Sequence, residues 1–209
     1  METELIRILD EYGQPLGIAT REEVHKKGYW HETFHCWFIS RENNQDYIYF
    51  QKRSPQKKDY PNLLDITAAG HILSHETVYD GIREVKEEIG VDVQMTELIS
   101  LGVIQYSVKH GDLMDNELAN VFLYNYKKSM NDFILQMEEV SGIVKADFSH
   151  FCEFIFLGKE TEIRVHGFEI NQDGERVVID QTLDKTKFAP HENSYYQKVL
   201  TLISENLIK

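Results

Sequence analysis

Hydrophobic and polar residues change rhythm several times along the chain, and each rhythm predicts an element. Residues 4–10 alternate weakly and read as a strand, closed by the turn signal Tyr12-Gly13-Gln14-Pro15. Thr20-Arg21-Glu22-Glu23 opens a short capped helix over 20–27. The run 31–40, His-Glu-Thr-Phe-His-Cys-Trp-Phe-Ile-Ser, is rich in strand formers, and polar residues 41–46 separate it from a second strand at 47–51, which predicts a hairpin. Loop 53–62 precedes an extended apolar stretch at 63–69. Further strands are expected at 97–108 and 118–126, joined by an acidic loop at 110–117. A strand at 140–147 and a helix at 149–157 follow. Beyond 160, strand patterns at 162–170 and 176–180 flank Asp173-Gly174, a hairpin signal. Residues 190–207 close the chain as an amphipathic helix with Val199, Leu200, Leu202, Ile203 and Leu207 on its apolar stripe. The order of elements predicts an α+β fold: one domain over 1–160 and a C-terminal hairpin-and-helix extension over 161–209. That extension suits packing on the same domain and a homodimer interface equally.

Between these elements, residues 76–90 predict a helix with chemistry on it. Thr77 is a candidate N-cap with Asp80 three residues on, and Gly90 is a stop signal. Val78, Ile82, Val85 and Ile89 form its apolar face. Glu84, Glu87 and Glu88 stand at i, i+3 and i+4, so they share the other face. Three like charges repel, and a surface helix is more cheaply solvated by alternating Glu and Lys. A hard divalent cation makes such a cluster favourable, since Mg²⁺ takes oxygen ligands and joins carboxylates to substrate phosphate. For an isolated ExxEE a solvated acidic face is the commoner outcome.

Context changes that weight. Gly70, five residues, Glu76, and then Arg83-Glu84-Val85-x-Glu87-Glu88-x-Gly90-Val91 resembles the Nudix box, G-x5-E-x7-R-E-U-x-E-E-x-G-U with U apolar. One departure exists: six residues, not seven, lie between Glu76 and Arg83, which places a one-residue shortening at the loop-to-helix junction. The resemblance covers roughly residues 30–160, with the box at 70–91. It implies an α/β/α sandwich with a mixed central sheet and a hydrolase for a nucleoside diphosphate linked to another group, or a similar diphosphate. It further implies that Glu84, Glu87, Glu88 and the backbone carbonyl of Ala69 ligate Mg²⁺ or Mn²⁺, and that Arg83 holds the carboxylates by pairing with Glu76 and Glu87. Glu84 and Glu117 are both candidates for the general base.

The surroundings resemble a narrower branch, similar to type I isopentenyl-diphosphate isomerase. The matching pieces are His25, Tyr29-Trp30-His31-Glu32-Thr33-Phe34, Ala69-Gly70-His71 and Asp115-Asn116-Glu117-Leu118-Ala119-Asn120. This resemblance implies that His25, His31, His71 and Glu117 form a second metal site, of nitrogen and oxygen donors suited to Zn²⁺ or Mn²⁺. It also supplies a rival function, isomerisation, which in that family needs a cysteine where this chain has Ala69. The chain keeps the hydrolytic glutamates instead, which favours hydrolysis. A ligand-sensing, non-catalytic Nudix module is a further rival, weakened by the intact box.

Composition narrows the remainder. With 35 acidic against 22 basic residues the chain carries a formal charge of −13, a poor match for nucleic acid or an anionic membrane. No apolar run approaches a membrane span, Met1-Glu2-Thr3-Glu4 is unlike a signal peptide, and Cys36 and Cys152 make no disulfide framework, all pointing to a cytoplasmic setting. Arg53 and Lys57, in the most basic patch, are candidate substrate-phosphate contacts, although solubilising a loop is the commoner role of such residues. The expected partner is a small-molecule diphosphate.

Overall fold

The computed structural model describes residues 4–110, 113–158 and 162–207. Among them run β1 (Leu5–Leu9), β2 (Pro15–Thr20), α1 (Arg21–Lys27), β3 (Trp30–Glu42), β4 (Gln45–Arg53), β5 (Leu64–Ile66), β6 (Ala68–His71), α2 (Arg83–Ile89), β7 (Leu98–His110), β8 (Leu113–Asn125), β9 (Val140–Asp147), α3 (Phe148–Phe156), β10 (Glu162–Ile170), β11 (Arg176–Asp184) and α4 (Asn193–Leu207). The strands form one mixed sheet along the path β11-β10-β9-β4-β3-β1-β2, with β5 on β4, β6 and β8 on β3, and β7 on β8. The β3–β8 pair is parallel, and the other pairings are antiparallel.

Strand β3 sits at the centre and is buried on both faces, which explains its nearly continuous apolar run. Side chains on a strand alternate between faces. Accordingly Phe34, Cys36 and Phe38 enter one core with Val85 and Ile89 of α2, whereas Trp37 and Ile39 enter the other with α3 and α4. Helices therefore cover both faces, as the α/β/α expectation requires. Thr20 caps α1 by accepting from the Glu23 N–H at 3.3 Å, as its sequence predicts.

Several boundaries move. Strands β7 and β8 reach to His110 and from Leu113, so Asp115, Asn116 and Glu117 lie in a paired strand and not in the predicted loop; what remains between the strands, 111–112, falls outside the described residues. Glu117 pairs in register with His31 of β3, and that parallel pairing draws the polar segment into the sheet. The α-helix of the box begins at Arg83, not at Thr77, after a 3-10 turn over Asp80–Ile82. Thr77 gives both its N–H and its hydroxyl to Asp80 and caps no α-helix. A 3-10 segment rises about 2.0 Å per residue against 1.5 Å for the α-helix, so three such residues recover roughly one α-helical residue of length. At the C-terminus β11 extends to Asp184, and α4 starts at Asn193 after Ala189 donates its N–H to the Leu64 carbonyl. The expected boundary at 160–161 lies outside the described residues; past it, β10 pairs with β9, and α4 buries Tyr195, Tyr196, Val199, Leu200 and Ile203 in the larger core.

Candidate active site

A cavity of about 350 Å³ opens beside β6, and ten of the eleven candidate site residues expected from sequence line it, with Asp115 and Gly70; the eleventh, His31, is fully buried, and Glu76 does not line it. Two clusters of ligating groups meet there.

The first is the box. Arg83 bridges its carboxylates: Nε donates to Glu76 at 2.6 Å, Nη2 to Glu76 at 3.0 Å and to the His71 carbonyl at 3.2 Å, and Nη1 to Glu84 at 2.6 Å and Glu87 at 3.1 Å. Glu76 thus pairs with Arg83 despite the short spacing. Glu88 is buried and accepts from the Ala69 N–H and from Gln51 Nε2, each at 3.1 Å. Glu87 is the exposed member. Gly70 permits the cluster: a Cβ there would lie 2.2 Å from the Glu84 carboxyl carbon. Gly90 ends α2 at φ +71°, where other residues are strained. Burial pushes the Glu84 carboxyl up to about 7, Arg83 opposing and Glu87 adding to the rise. Burial, then Glu84, pushes Glu88 up to about 8. A buried acid, Glu88, and a half-buried one, Glu84, that resist ionising together form a donor set matched to a hard cation.

The second cluster is the histidines. The rings of His25, His31 and His71 lie with centroids 5.1–5.4 Å apart. Nε2 of His71 faces Nε2 of His25 at 3.3 Å. Ligand atoms of these three histidines fall within 4.8 Å of one another, as do those of His31, Asp115 and Glu117. His31 Nε2 and Asp115 Oδ1 are buried and without a hydrogen bond; they lie 3.4 Å apart but lack its alignment. Such orphaned atoms are expected where a cation belongs. Burial, with Arg21, His31 and His25, holds His71 well below its ordinary value and therefore neutral, as a ligand must be.

Strand β6 joins the two clusters. Its Ala69 N–H holds Glu88, its Gly70 makes room for Glu84, and its His71 gives a ring to one cluster and a carbonyl to the other. Arg53 and Lys57 line the cavity, but each already holds an acid: Arg53 donates to Asp65 at 2.8 Å, and Lys57 to Glu139. Neither cysteine lines the cavity; Cys36 is fully buried, and burial pushes its thiol far up.

Some polar residues of the site were not singled out from sequence. Glu117 accepts at Oε2 from Thr33 at 2.9 Å and from His35 Nε2 at 3.0 Å. Burial pushes Glu117 up, but the adjacent His35 outweighs it and holds the carboxyl down to about 2. His31, Thr33 and His35 share a strand face by their spacing of two, a signal that was available in the sequence. His191 bonds Asp65 through Nε2 at 2.6 Å, and Tyr195 bonds His35; separations of 126 and 160 residues leave no local trace.

Comparison with known proteins shows the family and the fold. The NUDIX domain model matches residues 30–192. An uncharacterized Nudix hydrolase of Clostridium acetobutylicum is 39% identical over 99% of this chain and 100% of its own. Nudix hydrolase 3 of Arabidopsis thaliana is 29% identical over 74% of this chain and 21% of its own, and the isopentenyl-diphosphate Delta-isomerase of Paenarthrobacter aurescens is 29% identical over 58% and 65%. Among solved structures, DR0079 from Deinococcus radiodurans superposes with a TM-score of 0.55 at 18% identity, covering 74% of this chain and 90% of that one. A MutT/nudix family protein from Enterococcus faecalis gives 0.53 at 12%, covering 83% and 62%.

Proposed function

The chain belongs to the Nudix family, and from that premise we propose that it is a divalent-cation-dependent hydrolase of a diphosphate linkage. The observation that carries this reading is the charge of the cavity: nine acids and four cationic side chains line it, and Arg53, Lys57 and Arg83 are each committed to an acid. A diphosphate meets net negative charge there unless cations intervene. The box carboxylates Glu84, Glu87 and Glu88, with Ala69, would hold such a cation, and His25, His31, His71, Asp115 and Glu117 would hold a second of more nitrogen-loving kind. When bound, a divalent cation supplies positive charge at the diphosphate and an acidified water.

The chain's own residues do the remainder. Arg83 fixes Glu84 and Glu87 from one side, and Gln51 and the Ala69 N–H fix Glu88 from the other. Of the two candidate bases, Glu84 has the value nearer neutrality and suits proton acceptance, whereas Glu117 is held ionised and suits anchoring. Isomerisation has less support, since position 69 is alanine and no thiol reaches the cavity.

The test is release of phosphate or nucleotide from a panel of nucleoside diphosphate derivatives and other diphosphates, with Mg²⁺, Mn²⁺ or no metal. We expect turnover only with metal, and Glu88→Gln should reduce it by several orders of magnitude. An unchanged rate in that variant removes the mechanism, and conversion of isopentenyl to dimethylallyl diphosphate replaces it.

A further inference from the structure

The last helix reaches the site through a chain of hydrogen bonds. Indole Nε1–H can only donate, so Trp37 donates to the Tyr195 oxygen at 3.2 Å. The Tyr195 hydroxyl lies 2.7 Å from His35 Nδ1, and His35 Nε2 lies 3.0 Å from Glu117 Oε2. A carboxylate can only accept, so His35 donates from Nε2 to Glu117, and its Nδ1 is bonded to the Tyr195 hydroxyl. Trp37, Tyr195, His35 and Glu117 thus form one continuous chain of side-chain bonds. All four side chains are more than nine-tenths buried. Burial also keeps the Tyr195 hydroxyl protonated throughout the neutral range.

We propose that Tyr195 is a positioning residue for Glu117, acting through His35: its hydroxyl fixes the imidazole so that Nε2–H holds the carboxylate toward His31 and Asp115. The proposal rests on the reading of that group as a cation site, and it assigns a role in the site to a helix that begins far from it in sequence. Groups that orient a ligating residue from behind typically change metal affinity 10–100-fold when removed. Removing the Tyr195 oxygen leaves His35 Nδ1 buried without its partner, which frees the ring to turn.

The neighbouring Tyr196 provides the control. It is equally buried in the same helical turn, and its hydroxyl donates at 3.3 Å to the Ala189 carbonyl, outside the relay. The experiment titrates full-length wild type, Tyr195→Phe and Tyr196→Phe with Zn²⁺ alone by calorimetry, and records ring-nitrogen NMR of the histidines in each metal-free protein. We expect Tyr195→Phe to bind Zn²⁺ roughly 10–100-fold more weakly, Tyr196→Phe to bind as wild type, and the His35 ring-nitrogen signals to move in Tyr195→Phe and not in Tyr196→Phe. Equal affinities in Tyr195→Phe and wild type, equal losses in both variants, His35 signals unmoved in Tyr195→Phe, or no Zn²⁺ binding by wild type each overturn the proposal. Neither measurement involves turnover, so a diphosphate panel without hydrolysis sinks the hydrolase reading and leaves this one to its own result.

Discussion

Glu88 shows at the scale of one residue how the fold stores a demand for cations. Its carboxyl is buried, accepts from the Ala69 N–H and Gln51, and is still pushed from 4.5 up to about 8 by burial and by Glu84. A carboxyl whose folded value lies above its unfolded value binds its proton more tightly in the folded state. Its contribution is therefore fully present below about pH 4.5 and is lost as the pH rises through about 8. Glutamine has no such dependence. We expect metal-free wild type to lose stability relative to Glu88→Gln as the pH rises from about 5 to about 8, by on the order of 3 kcal/mol. Denaturant midpoints with a common m-value measure this. Mg²⁺ should recover the loss in wild type at the upper pH and leave Glu88→Gln little changed. Parallel pH curves for the two proteins would show that burial imposes no charge penalty on Glu88.

Among the elements, β6 has most to do with four residues, because both clusters hang on it. Gly70 is its tightest point, with a Cβ position 2.2 Å from the Glu84 carboxyl. Gly70→Ala must displace Glu84 or the strand. We expect a loss of at least tenfold in Mg²⁺ affinity, the scale on which metal sites respond to disturbed ligand supports, with circular dichroism unchanged. Wild-type affinity in the folded variant would show that Glu84 is no ligand. Elements also explain what the sequence made legible. The strand at 140–147, the capped helix at 20–27 and the shared face of Glu84 and Glu88 follow from period and capping, which are local. The contact of Arg83 with Glu76 was legible even with the spacing one residue short. The start of α2 was misread because a 3-10 turn over Asp80–Ile82 precedes it, and the loop at 110–117 because Glu117 is drawn to Thr33 and His35, partners that local pattern does not contain. Asp65 with His191 and His35 with Tyr195 were illegible for that cause alone.

Over the whole molecule, these long-range pairs decide whether residues beyond 160 are an appendage. Strand β10 continues the sheet from β9, and α4 buries Tyr195, Tyr196, Val199, Leu200 and Ile203 against β-strand residues and α3. Each such side chain contributes about 1.5–3 kcal/mol by leaving water, so the five together stabilise by on the order of 10 kcal/mol. That equals the whole net stability of an ordinary domain, about 5–15 kcal/mol. A chain ending at residue 190 keeps the box and every expected ligand, yet it uncovers Trp37 and Phe151 and takes Tyr195 and His191 from the site. We expect it to lack cooperative unfolding in denaturant and to bind a hydrophobic dye. A cooperative transition in this truncated chain, with Zn²⁺ and Mg²⁺ affinities intact, would restore the view of residues 161–209 as an extension. Otherwise the helix that completes the core also sets the Glu117 carboxylate, so the acidic site forms only when the chain has closed on itself.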